Sequence, residues 1–159
     1  MMALVAFGCS KDDDGDDAYH YTKNNLTGTY SITYFQTKKV ETIDVNGFDV
    51  TTTTVSTGDT FNVTATFDSN DILTLDGTYR IMEIKTQGNQ STENPYIVVL
   101  DNEKEEYSIN ANTSELTFDG RTYKVSGFGR TGFKISMEKT TIKDNGDMTE
   151  YTENWTFTK

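Results

Sequence analysis

Phe61-Asn62-Val63-Thr64-Ala65-Thr66-Phe67 alternates apolar and polar side chains without a break. Only an extended strand with one buried face and one wet face asks for that rhythm, because successive side chains on a strand point to opposite sides. Working outward, the same period returns in Tyr30-Ser-Ile32-Thr-Tyr34 and Phe133-Lys-Ile135-Ser-Met137. Near the end, Tyr151, Glu153, Trp155 and Phe157 alternate with Thr152, Asn154 and Thr156. Tyr96-Ile-Val-Val-Leu100 is continuously apolar, the pattern of a strand covered on both faces. Threonine is abundant throughout, which suits a pleated, half-solvated surface better than a helix.

The punctuation agrees with the rhythm. Asn46-Gly47 is the strongest hairpin signal, since both residues tolerate positive φ. Thr57-Gly58-Asp59, Asp68 to Asp71, Asp119-Gly120 and Asp144 to Asp147 mark further reversals, and Asp76-Gly77 reads as a bulge or another tight turn. Gln87 to Pro95 is the longest polar stretch and reads as a mobile or ligand-binding loop. No window has a helical period; Asn102 to Glu106 allows one turn at most. Eight to ten strands joined by short loops predict an all-β antiparallel fold, an up-and-down barrel with a β-sandwich as the alternative. Tight consecutive hairpins favour the barrel, and so do aromatics on one face of both the first and last strands, which would match if those strands paired.

Composition narrows function. The 159 residues carry 14 basic and 25 acidic side chains, a net charge of −11, with 34% hydrophobic residues. Such a surface repels nucleic acid and anionic membranes. One cysteine, Cys9, and one histidine, His20, exclude an intrachain disulfide and a cysteine-based zinc site. The part that folds has no Ser/His, Cys/His or two-His arrangement, so a non-enzymatic protein without a cofactor is expected. Gly127-Phe-Gly129-Arg-Thr-Gly132 lies between two strands with no helix to follow, which makes it a hairpin rather than a phosphate loop.

The first residues speak to location. Met2 to Gly8 are apolar or small, and Ala6-Phe7-Gly8-Cys9 resembles the lipobox of bacterial lipoproteins, in which the cysteine becomes the acylated first residue of the mature chain. The resemblance implies a residual signal peptide at 1–8, lipidation of Cys9, and a true start further upstream. Ser10 to Asp17 holds five aspartates and cannot fold without stacking like charges, so 9–24 reads as a solvated tether. An EF-hand aligned on Gly15 would place Ser10 and Tyr21 at its first and closing ligand positions, which rules the motif out. The Cys-Ser-Lys-Asp-Asp-Asp run resembles signals that send Gram-negative lipoproteins to the outer face of the outer membrane. Each buried acyl CH₂ contributes roughly 0.8 kcal/mol, so a multiply acylated Cys9 would hold the chain despite its charge.

The remaining domain, 25–159, resembles lipocalin-like domains of small bacterial lipoproteins. Leu26-Thr-Gly28-Thr-Tyr30 resembles their L-x-G-x-W opening, with Tyr30 in the tryptophan's place. Ser114-Glu-Leu116-Thr-Phe118-Asp-Gly120, Tyr123-Lys-Val125 and Trp155-Thr-Phe157 resemble the back half. The family implies an eight-stranded barrel open at one mouth, which in some members holds a small apolar molecule. Tyr30, Tyr34, Tyr151 and Trp155 are the candidate lining residues. Glu153, on the face of Tyr151 and Trp155, is the fifth candidate for ligand contact and needs a cation such as Arg80, Arg121, Arg130 or one carried by the ligand if it points inward. The partners expected are the membrane, through the lipid, and a small hydrophobic or amphipathic ligand. The alternative is a filled barrel whose loops contact another envelope protein or a glycan.

Overall fold

The computed structural model describes residues 19–159. Cys9, the residual signal peptide expected at 1–8 and the acidic run from Ser10 lie outside the described residues.

Nine strands follow one short helix: α1 (Lys23–Leu26), β1 (Gly28–Val45), β2 (Phe48–Phe67), β3 (Ile72–Gln87), β4 (Gln90–Glu106), β5 (Ser108–Asn110), β6 (Glu115–Phe118), β7 (Arg121–Gly129), β8 (Gly132–Ile142) and β9 (Met148–Thr158). All are antiparallel in one sheet of order β4-β3-β2-β1-β9-β8-β7-β6-β5. The all-β, up-and-down expectation is met. β1 and β9, the first and last strands, pair from Ser31↔Thr158 to Thr42↔Met148. The hydrogen-bonded ladder nevertheless does not close, because β4 and β5 remain edges. Those edges are consecutive in the chain and separated only by Tyr107. Tyr107 fixes the corner: its backbone N–H donates to the Asp71 carbonyl at 2.8 Å and its hydroxyl to the Asp68 carbonyl at 2.7 Å.

The sheet coils tightly around an aromatic core. Phe67 on β2 and Phe133 on β8 are separated by β1 and β9, about 14 Å in a flat sheet. Their rings are 6.0 Å apart. Tyr30 stands edge-on to Phe67 and Phe133 at 5.9 and 5.1 Å, and Phe133 stacks on Phe157 at 4.6 Å. Leu26, Leu73 and Leu116 close the cluster from α1, β3 and β6.

Two glycines make the bends. Gly77 (φ 121°) sits at a shift in the β3–β4 register, so Asp76-Gly77 is a bulge, and a Cβ there would strike the Asn62 carbonyl. Gly132 (φ 145°) opens β8 against the Phe157 carbonyl in the same way. The Asn46-Gly47 turn forms as expected, with φ of 57° and 83°.

Several local expectations are corrected. Thr57-Gly58-Asp59 is not a reversal but lies inside β2, because Thr60 at φ 53° absorbs a bulge there and the strand continues. Gln87 to Pro95 is no long loop: Gly88-Asn89 turns the chain and polar residues on both sides pair, Thr86↔Ser91 and Lys85↔Thr92 among them. Asn102 to Glu106 is strand. Tyr96 to Leu100 is covered on one face only; Ile97 and Val99 are 69% and 65% exposed on the outer side of edge strand β4. The packed domain also starts before residue 25. Tyr19 stacks on Phe128, the Tyr21 hydroxyl donates to the Glu115 carbonyl at 3.0 Å, and Thr22 caps α1. Apolar contact and a satisfied cap hold these residues, which their place behind the acidic run does not reveal.

The strands are unequal. β1 with 18 residues is about 60 Å long at 3.3 Å per residue, while β5 and β6 have three and four. Where β7 begins at Arg121, the β8–β9 hairpin runs on to Ile142 and Met148. That step leaves the inner face of the sheet open at one end. The opposite end is sealed by α1, where Lys23 pairs with Asp71 of the β2–β3 turn at 2.6 Å.

Candidate functional site

The open end is built around a buried carboxylate. Glu153 on β9 is 2% exposed. Its Oε1 accepts from the Tyr123 hydroxyl at 3.0 Å and from Nε1 of Trp155 at 2.6 Å. Its Oε2 accepts from the Tyr151 hydroxyl at 2.8 Å and from Nη1 of Arg121 at 3.1 Å. Burying a carboxylate is expensive unless it is paired and hydrogen-bonded, and here both oxygens are fully engaged. Strand geometry explains the assembly. Tyr151, Glu153 and Trp155 are spaced by two and share the inner face, while β7 delivers Arg121 and Tyr123, also spaced by two.

The electrostatics follow from this geometry. The Tyr123 phenol is held well above its usual range, first by burial and then by the adjacent Glu153 charge. Tyr151 is raised likewise, by burial and then by its hydrogen bond to Glu153. Both therefore remain neutral donors. Arg121 is partly desolvated, which alone would lower its pKa, but its Tyr123 and Glu153 contacts more than offset that.

Beyond the cluster lies an open cleft of about 490 Å³, lined by Gly120, Arg121, Thr122, Met137, Glu138, Lys139, Thr141, Thr149 and Tyr151. Arg121 and Tyr151 belong to both, so the cleft adjoins the carboxylate cluster. On the inner side the Trp155 ring packs against Phe35 at 4.3 Å, and Phe35 against Tyr79 at 5.8 Å. Burial pushes Tyr79 up to about 12, with neighbouring Tyr96 and Glu153 adding to it.

Three of the five side chains singled out for ligand contact, Tyr151, Glu153 and Trp155, come together here. The other two do not. Tyr30 is 1% exposed, in the core at the sealed end, with its hydroxyl donating to the Leu26 carbonyl at 2.9 Å. Tyr34 is 39% exposed on the outer face, because the β1–β9 register shifts between Ile32 and Tyr34 and breaks the even–odd rhythm. Of the three arginines proposed as partners for Glu153, Arg121 holds the position. Arg80 pairs with Asp59 at 2.7 Å, and Arg130 lies over the Tyr19 ring at 5.5 Å. Tyr123 was legible as an inward residue of a strand but not as a ligand of Glu153, 30 positions away. The cysteine proposed for lipidation, Cys9, lies outside the described residues.

No protein-family model, no curated protein and no solved structure matches the chain.

Proposed function

We propose that the chain is a cell-envelope lipoprotein, anchored through acylated Cys9 on the bacterial outer membrane, whose lipocalin-like sheet binds a small amphipathic molecule at its open end. The observation that carries this reading is the buried Glu153 and its four donors beneath an open cleft of about 490 Å³. Such a network locks Tyr151, Tyr123 and Arg121 into fixed rotamers, and pre-organised aromatic and cationic groups around a concavity suit ligand capture. The core itself is occupied by Tyr30, Phe67, Phe133 and Phe157, so the ligand sits in the cleft rather than deep within the coil. With both carboxylate oxygens engaged by donors, Glu153 is suited to positioning its neighbours and not to proton transfer, in keeping with a non-catalytic role.

The polarity of the molecule fits a tether. The chain enters at the sealed end, where Tyr19 packs on Phe128. Along β1 the cleft lies about 35 Å away, near Lys39, the partner of Tyr151. A membrane anchor preceding Tyr19 would attach at the end of the molecule away from the cleft. Two measurements test the proposal. Mass spectrometry of the natively expressed protein should find acylated Cys9 as its first residue. Fluorescence of a neutral naphthylamine dye should rise saturably with the purified domain and fall when envelope lipid extracts are added. An unmodified chain retaining Met2 to Gly8 refutes the anchor, and no saturable dye binding refutes the site.

One observation favours a second reading, an interaction module. β4 is a free edge with Ile97 and Val99 exposed, flanked by Glu93, Asp101, Glu103, Glu105 and Glu106. An apolar strand with basic flanks, supplied by another envelope protein, would complete that edge by strand addition. Retention of a naphthylamine dye by a variant that has lost an envelope partner would separate the two.

A further inference from the structure

The open end carries a second pattern that the carboxylate cluster does not use. Cross-strand partners project to the same face of a sheet. Following them from Tyr151, Lys139 lies on one side in β8 and Lys39 on the other in β1. Lys39 faces Thr54 in β2, and Thr54 faces Lys85 in β3. Three lysines therefore occupy one row across the inner face, with Arg121 at the cleft beside Lys139. The chain as a whole has 25 acidic against 14 basic residues, so a basic row is against its general composition.

The charges on this row are not equally available. Arg121 is engaged by Glu153 at 3.1 Å, with Asp119 at 3.8 Å from Nη2. Lys39 reaches Glu41 at 2.8 Å. Lys139 makes no ion pair among the described residues, although Glu138 also lines the cleft. The Arg121 side chain is 46% exposed and lines the cleft. Met137 and the Tyr151 ring lie in the same cleft as these two cations.

We propose that the cleft selects amphipathic anions, seating a single carboxylate, sulfonate or phosphate head between Lys139 and Arg121 while the apolar body lies over Tyr151 and Met137. This rests on the amphipath-binding reading above and adds the sign of the head group. Glu153 has a stated part in it. By holding Arg121 and neutralising one charge from below, it sets that guanidinium in a fixed orientation beside an uncompensated ammonium. A cationic amphipath would lose this contact and meet Lys139 as a like charge.

Two dyes with the same ring system make the test. Anilinonaphthalene sulfonate carries an anionic head, and phenylnaphthylamine lacks it. The purified domain should bind the sulfonate at one saturable site about tenfold more tightly than the neutral dye. Lys139→Met should weaken the sulfonate about threefold to tenfold and leave the neutral dye unchanged. Lys139→Glu should weaken the sulfonate further, and unaltered near-ultraviolet circular dichroism would show that both variants keep their fold. Equal binding of the two dyes, indifferent to residue 139, overturns the anion seat and leaves the amphipath reading standing. Failure of both dyes to saturate overturns that reading, and the seat with it.

Discussion

The indole N–H of Trp155 donates to Oε1 of Glu153 at 2.6 Å, two residues back on the same strand and the same face. With Tyr151 donating to Oε2 from the other side, β9 carries a carboxylate clasped by its own neighbours before any other strand contributes. β7 completes the set with Tyr123 and Arg121.

All four contacts are donors aimed at a carboxylate, so the neutral amide is the informative substitution. Glu153→Gln keeps the shape but sets an NH₂ against groups that also donate. Leaving a buried donor unmatched costs about 1–3 kcal/mol, and the Arg121 attraction is lost as well. Urea unfolding should show a loss of about 3 kcal/mol, with a changed Trp155 near-ultraviolet signal. A variant within about 0.5 kcal/mol of the parent would show that the cluster does not hold the open end together.

Alkaline stability follows from the buried phenols. Tyr79 is pushed up to about 12, and Tyr123 and Tyr151 are raised further in the same direction. Above about pH 10 the unfolded chain loses these protons while the folded chain keeps them. The unfolded state then binds fewer protons, so stability falls as pH rises through the folded values. Denaturant midpoints should be flat up to about pH 9.5 and drop between 10 and 12. Tyr79→Phe should make that drop shallower. A drop of unchanged steepness in Tyr79→Phe would refute the assignment.

Two glycines sit where the neighbouring strand leaves no room for a side chain. A Cβ at Gly77 or Gly132 meets a carbonyl oxygen of the neighbouring strand, and both sit at positive φ. Gly77→Ala and Gly132→Ala should each destabilise by about 2 kcal/mol or more by thermal unfolding. Gly146→Ala, with open space around it, should cost less, leaving only its φ of 89° to be met. Equal losses at all three would contradict the close-approach account.

The free edge of β4 makes its own prediction. Ile97 and Val99 project into solvent, so replacing them with lysine removes little packing. Ile97→Lys with Val99→Lys should leave stability within about 0.5 kcal/mol and lower concentration-dependent association in sedimentation. A large loss of stability would mean that these side chains are covered.

Much of this was legible from period and punctuation. The strands through Tyr30, Phe67, Phe133 and Phe157 follow from alternation, because a half-buried sheet leaves no other solution for such residues. Asn46-Gly47 and Asp119-Gly120 turn because positive φ is cheap there. What failed did so where a strand breaks its own rhythm. Tyr34 moved outward at a register shift, and Thr60, a β-branched residue at positive φ, carries a bulge that no propensity announces. Polar Gln87 to Pro95 pairs because its neighbours in β3 hold it, a tertiary effect. At the site, Glu153's inward direction was readable from spacing two, whereas its choice of Arg121 depends on the register of strands far apart in sequence. The row of Lys39, Lys85 and Lys139 is invisible until that register is known.

The most direct test of the account is an amide chemical-shift titration of the isotopically labelled domain with phenylnaphthylamine. Saturable shifts should cluster at Arg121, Met137, Lys139, Tyr151 and Trp155, with Tyr30, Phe67 and Tyr34 unmoved. Shifts centred on the sealed core or the outer face, or none at all, would contradict the account.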